Sequence, residues 1–129
     1  MIRIRYTAPY DLDISGSVQA LQIISAAILD LATSDVMNFA HIADTNYDPT
    51  PYHSTLSGLL VTKADGRIAV TVEDEMTVLI SGRSDFLVTL AAWFSFEPDT
   101  PPKTHVHFEY YDNHPLISPT SVPLVIGIE

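Results

Sequence analysis

The stretch THVHFEYYDNHP, residues 104–115, holds three of the five histidines of the chain, together with Glu109 and Asp112. On an extended strand, residues two apart share a face. His105, His107 and Glu109 would then stand in a row able to share a divalent metal, with His41, His53, His114 or Asp112 available as a further ligand. His107 and Glu109 could equally serve as an acid–base pair. The same spacing arises wherever a half-solvated strand alternates, so an open polar sheet face stands beside both chemical readings. Other chemistries lack their motifs. There is no G-x-S-x-G elbow, since SGS and SGR lack its second glycine, and no G-x-G-x-x-G or G-x-x-x-x-G-K-[ST] loop. Trp93 falls on the apolar side of a helical segment and reads as core.

Composition bounds the elements that must carry these residues. The 129 residues are 47% hydrophobic and 17% charged, which predicts one globular domain spanning residues 1–129. The absence of cysteine excludes disulfides and thiolate zinc sites and suits a reducing, cytoplasmic setting. MIRIRYTAPYDLDI alternates rather than forming the apolar run of a signal peptide. ALQIISAAILDLA, residues 20–32, is too short to span a bilayer, so no membrane association is expected. Sixteen acidic residues against six basic ones give a formal charge of −10. That field repels phosphate backbones and argues against nucleic acid. It suits a basic protein partner, or simply solubility.

A repeat organises the chain. LDISGSVQALQIISAAILDL (12–31) and VLISGRSDFLVTLAAWFSFE (78–97) align at an offset of 66, through Ile14/Ile80, Ser15/Ser81, Gly16/Gly82, Leu21/Leu87 and Ala26/Ala92. The same offset pairs Ile2 with Ile68, His41 with His107, Leu56 with Val122, Leu59 with Val125 and Leu60 with Ile126. Each half, 1–63 and 67–129, reads as ββαββ. A period-two hairpin leads through Ser-Gly into an amphipathic helix, and two further strands follow, separated by a proline- and aspartate-rich loop. Ser15 or Ser17, and Ser84 or Asp85, are the expected helix N-caps. Two helices cannot serve as crossovers for about eight strands. The expected fold is therefore α+β, a mainly antiparallel sheet built from two tandem ββαββ repeats with both helices on one face. A chain that already contains a pseudo-twofold is expected to be a monomer.

Alternation assigns faces. Val106, Phe108 and Tyr110 should point inward, and His105, His107, Glu109 and Tyr111 outward. By the repeat, Ala40 and Ile42 should point inward, with His41 outward. Arg3, Arg5, Asp11, Asp13, Thr71, Glu73 and Thr77 take the outward parity as well. The matched loops DTNYDPTPYHS (44–54) and YDNHPLISPTS (111–121) add Tyr47, Asp48, Tyr111 and Asp112, aromatic and acidic residues on proline-stiffened backbone, as partner-binding candidates.

The string HVHFEYYDNHPLISPTSVPLVIGIE, preceded by ISG and an apolar helix, resembles small bacterial immunity proteins of polymorphic toxin systems. The resemblance covers residues 78–129 and rests on Ile80–Gly82, His105, His107, Glu109 and Ser121–Ile126. The first half keeps only Ile14–Gly16 and His41, with Phe39 where the first histidine should stand. Such a resemblance implies a cytosolic protein that neutralises a cognate toxin by binding it, with no catalytic residue and no cofactor. The acidic charge would suit a toxin with a basic cleft. The competing reading is a small metal-binding module or metal-dependent enzyme centred on His105, His107 and Glu109.

Overall fold

A computed structural model describes residues 1–129 as nine strands and two helices. In chain order these are β1 (Arg3–Thr7), β2 (Asp11–Gly16), α1 (Val18–Thr33), β3 (Asn38–Ile42), β4 (Ser54–Leu56), β5 (Gly58–Lys63), β6 (Ala69–Glu73), β7 (Thr77–Gly82), α2 (Ser84–Trp93), β8 (His105–Phe108) and β9 (Leu124–Ile128). The class is α+β, as the segment pattern predicts.

The helices follow from their apolar spacing. In α1, Leu21, Ile24, Ile28 and Leu31 recur at three- and four-residue intervals and are all buried. The Ser17 hydroxyl caps the helix by accepting the Ala20 N–H at 3.0 Å. In α2 the N-cap is Arg83, with no side-chain cap bond, so Ser84 and Asp85 lie inside the first turn instead of capping it. The Asp85 carboxylate turns outward and receives the Arg83 guanidinium at 2.8 and 2.9 Å. The helices pack on each other. At their contact the buried Ser25 donates its hydroxyl to the Ala91 carbonyl at 2.7 Å, which satisfies a group that would otherwise be costly to bury.

In place of one sheet there are two. The first has the order β4-β1-β2-β9-β8 and the second β3-β5-β7-β6. Both are mixed, since β2 runs parallel to β9 and β5 parallel to β7, while the other neighbours are antiparallel. Each sheet draws strands from both halves of the chain, so long-range pairing supplies parallel neighbours without a helix between consecutive strands. Their inner faces and the helices share one core of 23 buried residues, among them Ile4, Leu12, Ile14, Val78, Ile80 and Ile126. Each such aliphatic side chain contributes about 1.5–3 kcal/mol by leaving water. The segment STLSGLLVT, which reads as one strand, breaks at Ser57. Its first part, β4, edges the first sheet, and its second part, β5, enters the second.

Register corrects the gap-free offset at the last strands. Leu12 lies beside Leu124 and Val78 beside Leu59, so Leu59 stands where Leu124 does and not where Val125 does. His41 faces Leu59 across the β3–β5 pair, and Phe108 faces Leu124 across the β8–β9 pair. The positional counterpart of His41 is therefore Phe108, not His107. The second copy has one residue more than the first before β8 and two fewer between β8 and β9, so the offset of 66 holds for neither pair. Because strand faces alternate every residue, one residue reverses the assignment. Ala40 and Ile42 are exposed, Ile42 at 75%, while Phe39 packs on the core and Ala43 is buried. His41 turns to the inner side. Burial, then the charge of the chain's amino terminus, lowers its pKa below the ordinary 6.5.

Candidate functional site

The outer face of the first sheet forms a groove of about 550 Å³. Its floor is two rows of side chains, set by strand register. One row runs Arg5, Asp13, Val125, His107 and the other Arg3, Ser15, Gly127, His105, each across β1, β2, β9 and β8. Alternation in IRIRY and LDIS puts the charged residues outward because Ile2, Ile4, Leu12 and Ile14 are committed to the core. Gly127 is needed where it stands: a Cβ there would come within 3.0 Å of the His105 Cβ and 3.2 Å of the Thr104 carbonyl. Its bare backbone lets β8 approach and leaves the floor open.

One wall is the loop between β3 and β4. The Asp44 N–H donates to the Ile2 carbonyl at 2.9 Å, the Tyr47 hydroxyl to the Ile4 carbonyl at 3.3 Å, and the His53 N–H to the Thr7 hydroxyl at 3.0 Å. These bonds fold the loop over β1 and place Tyr47 and Tyr52 against the two arginines. Arg3 lies over the Tyr47 ring and Arg5 over the Tyr52 ring, each 4.5 Å from the centroid. Burial raises both phenols above their ordinary 10.0, against the lowering effect of nearby arginine, so the rings stay neutral. Arg5 also donates from Nε at 3.0 Å and Nη2 at 2.9 Å to Asp13 Oδ2. Asp13 is 5% exposed and is one of two buried polar or charged residues. Such a carboxylate is tolerated only because its cation is in contact. Arg3 makes longer Nε contacts, 3.4 Å to Asp44 and 3.6 Å to Glu129.

The opposite wall is Lys103, Thr104, His105 and His107. Both histidines are exposed, their rings edge-on with centroids 5.1 Å apart. His105 Nδ1 lies 3.1 Å from the Lys103 carbonyl. Behind this wall, Phe108 stacks on Trp93 with centroids 4.0 Å apart, which ties β8 to α2.

The residues singled out from sequence divide. His105, His107, Tyr47 and Asp48 line the groove. Asp48 is exposed, and hydrogen bonds from the Thr50 hydroxyl and N–H hold its carboxyl below the usual range. Glu109 lies past the end of β8 and lines an adjoining depression with His107. Strand alternation has ended there, so the row His105, His107, Glu109 is not a continuous one. No three His, Asp or Glu side chains are grouped so as to hold a metal ion, and the metal reading of these three residues has no geometric support. Tyr111 and Asp112 are exposed in the following loop, where Tyr111 packs on His114 at 4.3 Å between centroids. His41 belongs to the other sheet and does not join the groove. The groove residues that sequence reasoning did not select include Arg3, Arg5, Asp13, Ser15, Tyr52 and Lys103. Outward parity flags Arg3, Arg5 and Asp13, but nothing local reveals that β1 and β2 lie beside β9 and β8.

No curated protein and no solved structure matches the chain. A family model does match part of it. Residues 77–128, which comprise β7, α2, β8 and β9 and so supply the His105 and His107 side of the groove, match the model of Immunity protein 32. The resemblance to immunity proteins seen in the C-terminal half is borne out over that segment, which is less than half of the chain.

Proposed function

We propose that the chain is an immunity-like protein that neutralises a cognate bacterial toxin by direct, non-catalytic binding in the cytoplasm. The family match over residues 77–128 is the observation that carries this reading. The groove of the first sheet is the proposed contact surface, with His105, His107, Tyr47 and Asp48 on its walls and Glu109, Tyr111 and Asp112 beyond its end. Arginine and tyrosine at its centre are the residue types that dominate binding energy in protein interfaces. The formal charge of −10 suits a toxin domain with a basic surface and would speed encounter with it. The two ββαββ halves are read as a duplication in which one copy's outer face took on the binding residues.

The experiment is co-expression with the domain encoded by any toxin-like gene found next to that of this chain. Growth of bacteria producing that domain is expected to be restored by this chain, and the two proteins are expected to co-purify. Loss of viability despite equal expression of this chain, with no complex recovered, would overturn the proposal.

A further inference from the structure

The four sheet edges are treated differently. In the first sheet, β4 offers only three residues. The other edge, β8, is four residues long, carries two exposed histidines and is flanked by Lys103 and Glu109. In the second sheet, β6 is covered by residues 116–122: Ile68 N–H donates to the Leu116 carbonyl, Ser118 N–H to the Ile68 carbonyl and Val122 N–H to the Val70 carbonyl, at 2.7, 2.7 and 2.8 Å. Only β3 has none of the usual protections. Val36 to Ala43 contains no charged residue, no proline and no glycine, and Val36, Met37 and Ile42 are 53%, 60% and 75% exposed. An uncharged edge with exposed apolar residues is a template for strand addition.

The geometry of that edge is defined. Lys63 N–H donates to the Met37 carbonyl and Ala43 N–H to the Ser57 carbonyl, so the odd-numbered residues of β3 bond to β5. The backbone N–H and C=O groups of Asn38, Ala40 and Ile42 therefore point out of the sheet edge. We infer that β3 pairs antiparallel with β3 of a second copy of this chain, about a twofold axis at Ala40. Ala40 then faces its own equivalent, Asn38 faces Ile42 of the partner copy, and about six N–H···O bonds form. The strand is self-complementary, as an isologous contact requires. Charge selects the occupant. Two copies at −10 each repel over most of their surfaces, and residues 36–43 are where they can approach without opposing carboxylates. A basic partner is drawn to the acidic surface and gains nothing from this neutral edge. The dimer goes beyond the toxin-binding reading and does not rest on it. It also replaces the monomer expected from the repeat, because the contact between the halves leaves β3 unused.

Sedimentation equilibrium of the purified chain at micromolar to millimolar concentration is the test. The expected result is a dimer of twice 14.2 kDa that Ala40→Pro converts to a monomer with an unchanged circular dichroism spectrum. The lost N–H serves no bond within the fold, and proline is tolerated on edge strands. Amide exchange of the unaltered chain provides a reading that needs no variant: Asn38, Ala40 and Ile42 are expected to gain protection only at concentrations where the dimer forms. A monomer over the whole range, or a dimer in which these three amides stay unprotected, overturns the inference.

Discussion

The outer faces of the two sheets are built on the same strand plan and carry opposite chemistry. In the first sheet the central row is Arg5, Asp13, Val125, His107. In the second, the row in the matching register is Thr71, Leu79, Leu60, Ala40. The next rows compare in the same way: Arg3, Ser15, Gly127, His105 against Ala69, Ser81, Thr62, Asn38. One face has a buried ion pair and two cation–aromatic stacks. The matching rows of the other carry no charge. The inner faces are alike, with aliphatic residues from both sheets in one core. The scaffold therefore does not dictate the site; a few outward residues on one copy of the plan do.

Removing the ion pair should expose this difference most. Asp13→Ala would leave the Arg5 guanidinium half-buried with both of its hydrogen bonds lost, and we expect a loss of about 2–3 kcal/mol in urea unfolding. Leu79→Ala, at the matching position of the neutral face, should cost about 1 kcal/mol or less. Equal costs would break the comparison. For partner binding, His105→Ala combined with His107→Ala should weaken affinity at least tenfold, about 1.4 kcal/mol. Thr62→Ala or Leu79→Ala should leave the calorimetric Kd unchanged.

The hairpins of the two sheets sharpen the contrast in stability. The β6–β7 turn places Asp74 and Glu75 at φ of 53° and 56°, with Met76 N–H donating to the Glu73 carbonyl at 3.0 Å. Such a turn is favoured by Asn-Gly, and a side chain in the left-handed region costs about 1 kcal/mol. Glu75→Gly should raise stability by about that amount, read as an increase in Tm.

The smallest expected effect is a pH dependence. The pKa of His41 lies below its ordinary 6.5 because the folded state buries it and the amino terminus repels its proton. A lowered folded pKa means that the unfolded chain binds the proton more readily. The stability His41 permits is therefore present above about pH 6.5 and declines as the pH falls below it. His41→Phe, which installs the residue found at the equivalent position in the first sheet, should flatten the fall between pH 7 and pH 5 in urea unfolding.

Much of this architecture is legible in the sequence, and the reasons it stops being so are specific. Period-two alternation correctly turns Arg3, Arg5, Asp13, His105 and His107 outward, because their neighbours are aliphatic and each strand buries one face. The helices are legible from Leu21, Ile24, Ile28 and Leu31 and from Leu87 and Leu90. The partition into two sheets is not, since β2 finds β9 across most of the chain and no local pattern encodes that pairing. The gap-free offset gives β3 the wrong face because one more residue separates Val78 from Phe108 than separates Leu12 from His41. Glu109 shares a row with the histidines only where alternation continues past Phe108, and β8 ends there.

On the proposed function, the charged face and not its uncharged counterpart receives the partner. An NMR footprint of the isotopically labelled chain against the unlabelled domain recovered with it in co-expression is the measurement. The perturbed signals are expected to belong to Arg3, Arg5, Tyr47, Tyr52, His105 and His107. Perturbation confined to Ala40, Leu60, Thr71 and Leu79, with the groove signals unmoved, would contradict it.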